Sequence, residues 1–167
     1  MDKNVHTTCV EMLQQRGYEI TKDDEDMFTG KKGSSSIIVF YNTNPKFNVE
    51  RLQEYISLME DMSIHHAIVV YKDSVTPVAK KVISELQGMV VELFEEKSLR
   101  YNITKHRLVP KHVLLSKSEC VAFKQKYGLK IPVILTTDPV CRFYNFQKGD
   151  IVKIHRQDDY VSFRIVK

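Results

Sequence analysis

The chain has 167 residues, of which 43% are hydrophobic and 28% charged, a composition typical of a folded, soluble protein with one moderate domain or two small ones. Every apolar stretch falls short of the ~20 residues that a membrane span needs, and the polar segment Met1–His6 lacks the apolar region of a signal peptide. We therefore expect an intracellular protein without a membrane anchor. The net charge of +4 is uneven, because residues 1–102 carry 12 basic and 16 acidic side chains whereas residues 103–167 carry 13 and 5. This asymmetry predicts two modules, the second of which faces acidic protein, nucleic acid or simply solvent.

Helical and strand patterns alternate in the first half of the chain. Apolar residues at helical spacing predict a first helix that ends before Gly17, followed by a polar connection over residues 21–36. Three runs rich in β-branched and aromatic residues predict strands at 37–41, 67–71 and 89–94. Helices are predicted to begin at an Asn48 cap and at Thr76–Pro77, the second running to about Leu86. This order indicates an α/β domain with a small open sheet covered by helices.

The pattern changes after Tyr101. Ser116 is expected to cap a helix that ends at Gly128, and Asp138–Pro139 has the form of a short helix start. Two strand patterns, 151–154 and 160–165, flank Gln157-Asp158-Asp159, which predicts a hairpin. We therefore predict two domains, residues 1–102 and a small α+β domain over residues 103–167.

Few residues suggest a metal or cofactor. Cys9, Cys120 and Cys141 are widely separated and form no CxxC pair, so ordinary reduced cysteines are expected, with Cys9 and Cys120 on buried helix faces. His65-His66 precedes a strand in which neighbouring side chains point to opposite faces, and Asp23-Asp24-Glu25-Asp26 lacks the spacing of a calcium loop. With no P-loop and no GxGxxG motif, no cofactor is predicted.

One alternative is a small metal-dependent nuclease. Glu92, Glu95 and Lys97 lie on or just after the third predicted strand, where carboxylates beside a lysine are typical of such enzymes. Phosphodiester cleavage needs carboxylates from more than one element around the metal, and the strand 37–41 contains none. The pattern favours a non-catalytic chain but leaves the nuclease open.

The helix start at Thr76–Pro77 is a candidate for contact with phosphate. A helix N-terminus offers unpaired N–H groups and a positive dipole end, and Lys72, Lys80 and Lys81 add charge without reading base sequence. The alternative is an ordinary helix cap.

Three motifs in the second half are specific when taken together. They are Asn102–Val113 (NITKHRLVPKHV), Asp138–Tyr144 (DPVCRFY) and Gly149–Ile154 (GDIVKI). In this order and spacing they resemble the fifth shared subunit of eukaryotic nuclear RNA polymerases, and residues 103–167 are also similar to the corresponding small subunit of the archaeal polymerase. The first half resembles the eukaryotic jaw domain through weaker motifs, Arg16-Gly17-Tyr18, 68–70 and 76–80, which favours the eukaryotic type.

The resemblance implies a non-catalytic structural subunit of a DNA-directed RNA polymerase. The C-terminal assembly domain would dock on the largest subunit, with the small omega-like shared subunit nearby. The N-terminal domain, related in fold to restriction-type nucleases but not catalytic, would form part of the lower jaw near downstream duplex DNA, which the corner at Thr76, Pro77, Lys80 and Lys81 would face. The expected location is the nucleus, with cytoplasmic viral transcription machinery as the alternative. An independent nucleic-acid-binding module is a third possibility, besides the nuclease.

The motifs also supply candidate partner contacts. These are Lys111, His112, Asp138, Pro139, Arg142 and Lys153. The charged ones have no obvious role in a core, whereas Asp138 and Pro139 are equally well explained as a helix cap.

The chain departs from the family pattern at several places. Cys141 stands where the family has alanine and Asn145 where it has glycine. We expect the cysteine to pack as a small apolar residue and the asparagine to tolerate left-handed backbone. The segments 127–132 and 157–160 are shorter than usual.

Overall fold

The computed structural model describes residues 2–24, 26–128, 130–156 and 160–167. The chain divides into two compact units, residues 1–101 and 102–167, called here the N-terminal unit and the C-terminal unit. Within the described residues, no helix is both long enough and apolar enough to cross a membrane. The helices are α1 Lys3–Gln15, α2 Val49–Asp61, α3 Pro77–Glu85, α4 Lys117–Tyr127 and α5 Pro139–Tyr144. The strands are β1 Glu19–Asp23, β2 Met27–Lys32, β3 Ser35–Asn42, β4 Lys46–Phe47, β5 His66–Tyr71, β6 Ser74–Val75, β7 Val90–Glu95, β8 Lys111–Leu114, β9 Val133–Ile134, β10 Ile151–His155 and β11 Val161–Val166.

The N-terminal unit is built on a five-stranded mixed sheet in the order β1-β2-β3-β5-β7. Strands β3, β5 and β7 are parallel and joined through helices, whereas β1, β2 and β3 form an antiparallel meander. The short strands β4 and β6 pair separately in parallel. The predicted strand–helix–strand–helix–strand order is therefore confirmed, and two strands extend the sheet beyond it.

The central strand β3 is covered on both faces, as its apolar run predicted. Residues 37–41 are each no more than 5% exposed. On one face Phe40 stacks on Tyr55 of α2, with ring centroids 4.2 Å apart. On the other face His6 of α1 contacts Phe28, with ring centroids 5.4 Å apart, and lies within 3.3 Å of the Tyr41 hydroxyl. Helices thus cover both sides of the sheet.

The prediction of a polar connection over residues 21–36 is wrong. This segment contributes the β1–β2 hairpin, whose register pairs Lys22 with Thr29 and Asp23 with Phe28. The hairpin is at the edge of the sheet, and only residues 28–30 of it are buried. Its other residues are therefore polar, and the alternation of apolar and polar residues that would identify a strand is absent. Within the acidic run 23–26, the Asp24 N–H donates to the Met27 carbonyl and Glu25 lies outside the described residues.

The C-terminal unit has a four-stranded sheet in the order β8-β10-β11-β9. Strands β10 and β11 pair antiparallel as predicted, and the expected turn Gln157-Asp158-Asp159 lies outside the described residues. Val152 and Ile154 form a core with Cys141 of α5. The opposite face carries Phe163, whose ring centroid is 4.6 Å from that of Phe123 of α4. One helix therefore packs on each face.

The predicted helix ends are confirmed. The Asn48 side chain accepts the Arg51 N–H at 3.0 Å. Ser116 and Glu119 form a reciprocal capping box at the start of α4. Gly128 ends that helix with a φ of +70°, in the region that favours glycine. These signals are local, so they could be identified without knowledge of the tertiary structure.

The unusual residues of the C-terminal unit behave as expected from their chemistry. Cys141 is 1% exposed, and burial raises the pKa of its thiol to about 11. Asn145 ends α5 in the left-handed conformation, with a φ of +55°.

The other two cysteines differ in burial. Cys9 is buried as predicted, but the prediction for Cys120 is wrong because its side chain is only half-buried.

Asn145 provides a test of this backbone geometry. We expect Asn145→Val to lower the free energy of unfolding by about 1–2 kcal/mol, because β-branched side chains clash in left-handed backbone. Asn145→Gly should change it by less than about 0.5 kcal/mol, since glycine adopts that conformation without strain. Chemical denaturation of the full chain measures both values. Equal losses for the two variants would contradict the backbone explanation.

Candidate functional site

The corner between β6 and α3 holds the four residues proposed to meet DNA. The β4–β6 pair fixes the entry to the helix, because the Thr76 N–H donates to the Phe47 carbonyl at 3.0 Å. Thr76 is the N-cap, its hydroxyl accepting the Ala79 N–H at 3.3 Å, and Pro77 occupies the first turn. Ala79 is fully buried and anchors the helix on the core. The predicted capping function of Thr76 is therefore confirmed.

The amides of this helix start are mostly used within the chain. Pro77 has no N–H, the Ala79 N–H donates to Thr76 Oγ1, and the Lys80 N–H donates to the Thr76 carbonyl at 3.1 Å. Among the described residues, Val78 contributes the remaining N–H of the first turn. An anion here would therefore depend mainly on side-chain charge rather than on a ring of amides.

The charge at this corner is solvent-facing. Lys80 and Lys81 are exposed, as is Lys72 before β6. Lys81 Nζ lies 4.0 Å from Glu85 Oε1 in a pair whose side chains are 76% and 64% exposed. Such a pair is weak and separable, so both lysines remain available to a phosphate backbone.

A buried ionic cluster of Arg16, Glu92 and His66 lies at β7, an edge strand of the sheet. Arg16 donates to the two Glu92 carboxylate oxygens at 2.7 and 2.9 Å, and His66 Nε2–H donates to Glu92 Oε1 at 2.7 Å. The Arg16 and Glu92 side chains are only 4% and 13% exposed. Burial acts to raise the pKa of Glu92, but hydrogen bonds from His66 and Arg16 and the charge of Arg16 hold it below its ordinary value. The cluster ties α1 to the parallel strands.

The residues of the nuclease alternative are all engaged in contacts within the chain. Glu92 is bound by two basic side chains of its own chain, and Glu95, three positions further along the strand, points to the other face. Glu95 pairs instead with Lys97 at 3.2 Å. Across the described ranges of the chain, no group of three or more His, Cys, Asp and Glu side chains could hold a metal ion. Of the two adjacent histidines, His65 is exposed and His66 belongs to the ionic cluster.

Three of the predicted partner contacts lie on β8 and β10. Lys111 pairs with His155, His112 with Ile154, and Lys153 with Val113. Lys111 is exposed. Lys153 lies close enough to α4 to affect Glu119, whose pKa is lowered mainly by hydrogen bonds from Ser116 and to a smaller extent by the charge of Lys153.

His112 has a local role that its motif does not reveal. Its Nδ1–H donates to the Pro110 carbonyl at 2.7 Å. Burial and the charges of Arg164 and Arg156 lower the pKa of the imidazole, against the raising effect of that carbonyl. The ring therefore favours the neutral form and shapes the loop before β8, which weakens the case for His112 as a charged contact.

The other three predicted contacts are on α5. Asp138 is the N-cap, its carboxylate accepting the Val140 N–H at 2.8 Å, and Pro139 is in the first turn. Arg142 is exposed between the buried residues Cys141 and Phe143. The cap explains Asp138 and Pro139 locally, whereas the exposure of Arg142 leaves it accessible to a partner.

Comparison with known proteins matches residues 101–166 to the model of the RNA polymerase Rpb5 C-terminal domain. Over nearly its whole length the chain is 33% identical to "DNA-directed RNA polymerases I, II, and III subunit rpabc1" of Dictyostelium discoideum, covering 96% of this chain and 94% of the relative. This chain belongs to the Rpb5 family of RNA polymerase subunits. A viral relative, "Putative DNA-directed RNA polymerase subunit 454R" of Invertebrate iridescent virus 6, is 34% identical and covers 94% of this chain and 95% of its own. "DNA-directed RNA polymerase subunit 5-like protein 1" of Arabidopsis thaliana is 32% identical, and the match covers 96% of this chain and 92% of the relative.

Apolar side chains on the surface of this Rpb5-family chain are concentrated in the C-terminal unit. Of 13 exposed large hydrophobic residues described, eight fall within residues 102–167. They are Leu108, Val113, Leu114, Val121, Tyr127, Val133, Leu135 and Tyr160. Val121 and Tyr127 lie in the predicted helix α4, but the sequence does not reveal that they are exposed, because exposure depends on which helix face the sheet leaves uncovered. Such residues mark an interaction surface where they form a contiguous patch, whereas single exposed apolar residues are normal.

The buried cluster gives a stability prediction for the N-terminal unit. Arg16→Met should lower the free energy of unfolding by about 3–5 kcal/mol, because it leaves the Glu92 carboxylate buried without its main cation. Adding Glu92→Leu should restore much of that loss, since no charge is then left uncompensated. Denaturation of the single and double variants gives the coupling energy. Additive losses would contradict a coupled ionic cluster.

Proposed function

We propose that this chain is a non-catalytic structural subunit of a multisubunit DNA-directed RNA polymerase. The observation that carries the proposal is its similarity, over 96% of its length, to a subunit named for RNA polymerases I, II and III. The engagement of Glu92 by Arg16 and His66 supports a non-catalytic role. Under this proposal the metals and catalytic aspartates of polymerisation belong to other chains.

The C-terminal unit is proposed to hold the chain on the polymerase. Its exposed apolar residues and its excess of basic side chains support docking against a large, partly acidic partner. By resemblance that partner is the largest subunit, with the small omega-like shared subunit nearby. Exposed Lys111 and Arg142 and half-buried Lys153 are the candidate contacts, whereas His112, Asp138 and Pro139 position the loop and α5.

The N-terminal unit is proposed to form part of the lower jaw beside downstream duplex DNA. Lys80 and Lys81 at the corner of α3 offer exposed charge to phosphates, and Thr76 and Pro77 fix the helix start that presents them. The contact would be weak and independent of base sequence. A relation of this unit to restriction-type nucleases is part of the same proposal and is supported by its mixed sheet with helices on both faces.

The proposed location follows from the assembly. Relatives named for polymerases I, II and III support the nucleus. The iridescent virus relative supports the alternative of cytoplasmic viral transcription machinery.

The proposal predicts stable assembly through the C-terminal unit. A tagged full-length chain expressed in its native cell should retain the largest polymerase subunit through a high-salt wash, because apolar contacts survive salt that screens exposed charge. At low salt, where exposed charge is not screened, Arg142→Glu should reduce retention, and Lys46→Glu in the N-terminal unit serves as the matched control. Recovery of DNA without polymerase subunits would instead indicate an independent nucleic-acid-binding module.

The corner at Thr76 gives a separate prediction. Replacing Lys80 and Lys81 with Glu should weaken DNA retention by the assembled polymerase about equally for unrelated sequences, since a helix start and lysines carry no base-edge code. The dependence of log affinity on log salt should become shallower by up to ~0.9 for each phosphate that the variant no longer binds. A salt series on wild-type and double-variant polymerase measures this change. If the salt curves of wild-type and double-variant polymerase superimpose, Thr76 is only a helix cap and the two lysines are only solvent-exposed charge.

A further inference from the structure

A cavity of about 530 Å³ lies in the C-terminal unit, and its described lining includes no residue of α5. The loop before β8 forms one wall, and the end of β10 with the start of β11 forms the other. The lining residues are Arg107, Leu108, Pro110, His155, Arg156 and Tyr160. Its walls are held by backbone pairing, because Arg156 N–H donates to the Tyr160 carbonyl at 2.8 Å and the Val109 N–H to the His106 carbonyl at 2.9 Å.

The charged side chains among the described residues that line this cavity are all basic, and Asp158 and Asp159 of the expected turn after Arg156 lie outside the described residues. Arg107, His155 and Arg156 are all exposed, and Lys111 pairs with His155 across the neighbouring strands. Among the described residues, neither guanidinium forms an ion pair, and the Arg156 Nε–H donates only a long hydrogen bond of 3.4 Å to the Ser162 hydroxyl. Two planar guanidinium groups on one cavity can each hold a carboxylate through paired hydrogen bonds.

The rim of the same cavity is apolar. Leu108 is 73% exposed and Tyr160 is 62% exposed, and half-buried Pro110 lies between the loop and β8. Leucine and proline do not stack with bases, whereas nucleic-acid channels combine basic residues with several aromatic platforms. Arginine and tyrosine are instead enriched at the energetic centres of protein interfaces. The combination therefore favours a protein partner over a phosphate backbone.

We infer that this cavity is a docking site for an acidic segment of another protein chain, whose carboxylates pair with Arg107 and Arg156 and whose apolar side chain packs on Leu108 and Tyr160. The inference rests on the proposed function, because the partner segment is taken to belong to another subunit of the polymerase. It adds a specific recognition chemistry to the docking of the C-terminal unit.

The first test is charge reversal in the full-length chain within the assembled polymerase. The double variant that carries Arg107→Glu and Arg156→Glu should dissociate from the polymerase at least about tenfold faster than wild type. The reason is that each new carboxylate repels the partner carboxylate that the arginine held. The matched control is Lys117→Glu with Lys124→Glu, the same charge change on exposed residues of α4 outside the cavity. Leu108→Ala removes the apolar contact without changing charge and should also dissociate faster. Circular dichroism of each variant verifies the fold.

The second test identifies what occupies the cavity. A photo-cross-linking amino acid placed at exposed position 108 should label a polymerase subunit at a segment rich in Asp and Glu, located by mass spectrometry. Labelling of nucleic acid, or of a neutral or basic segment, would overturn the inference. Equal dissociation of the arginine and lysine double variants would also overturn it while leaving the proposed function intact. If the wild-type chain does not assemble with polymerase at all, the proposed function fails and the inference fails with it.

Discussion

The burial of β3 on both faces is the constraint on which the N-terminal unit depends. Residues 37–41 alternate between a face covered by α2 and a face covered by α1, and every one of them is apolar or aromatic. A carboxylate on this strand would be buried without water or a partner, at a cost of several kcal/mol. The same packing that stabilises the sheet therefore keeps its central strand free of the acidic side chains that a metal-dependent nuclease would need there.

Ionisable groups of this unit are placed at the margins of the sheet, where partners satisfy them. Glu92 is held by Arg16 and His66, and Lys32 donates to the Arg16 carbonyl at 2.6 Å, so the turn after α1 is connected to two strands. The remaining exposed charge includes the corner of α3. Under the proposed function, this solvent-facing pair of lysines would make a weak, sequence-independent contact with DNA.

Much of this arrangement follows from local sequence signals. The structure confirms the elements predicted from the apolar run 37–41 and from the caps at Asn48, Thr76 and Ser116. Buried strands and helix caps can be recognised from a few consecutive residues, because their residue types are characteristic. The hairpin over residues 19–32 could not be predicted in the same way, since an edge pair with one short buried stretch has no strong alternation.

The site was less predictable than the fold. Charge at motif positions identified Lys111 and Arg142 as exposed candidates. The hydrogen bond from His112 to Pro110 is local, but the motif does not reveal it. The cavity beside Leu108 depends on how a loop packs against strands distant in sequence. Hydrogen exchange of the isolated chain, compared with the chain in assembled polymerase, tests the central claim most directly. The account predicts strong new protection in the C-terminal unit, above all around residues 107–114 and 133–135, and only slight changes in the N-terminal unit. Protection confined to residues 1–101 would contradict it.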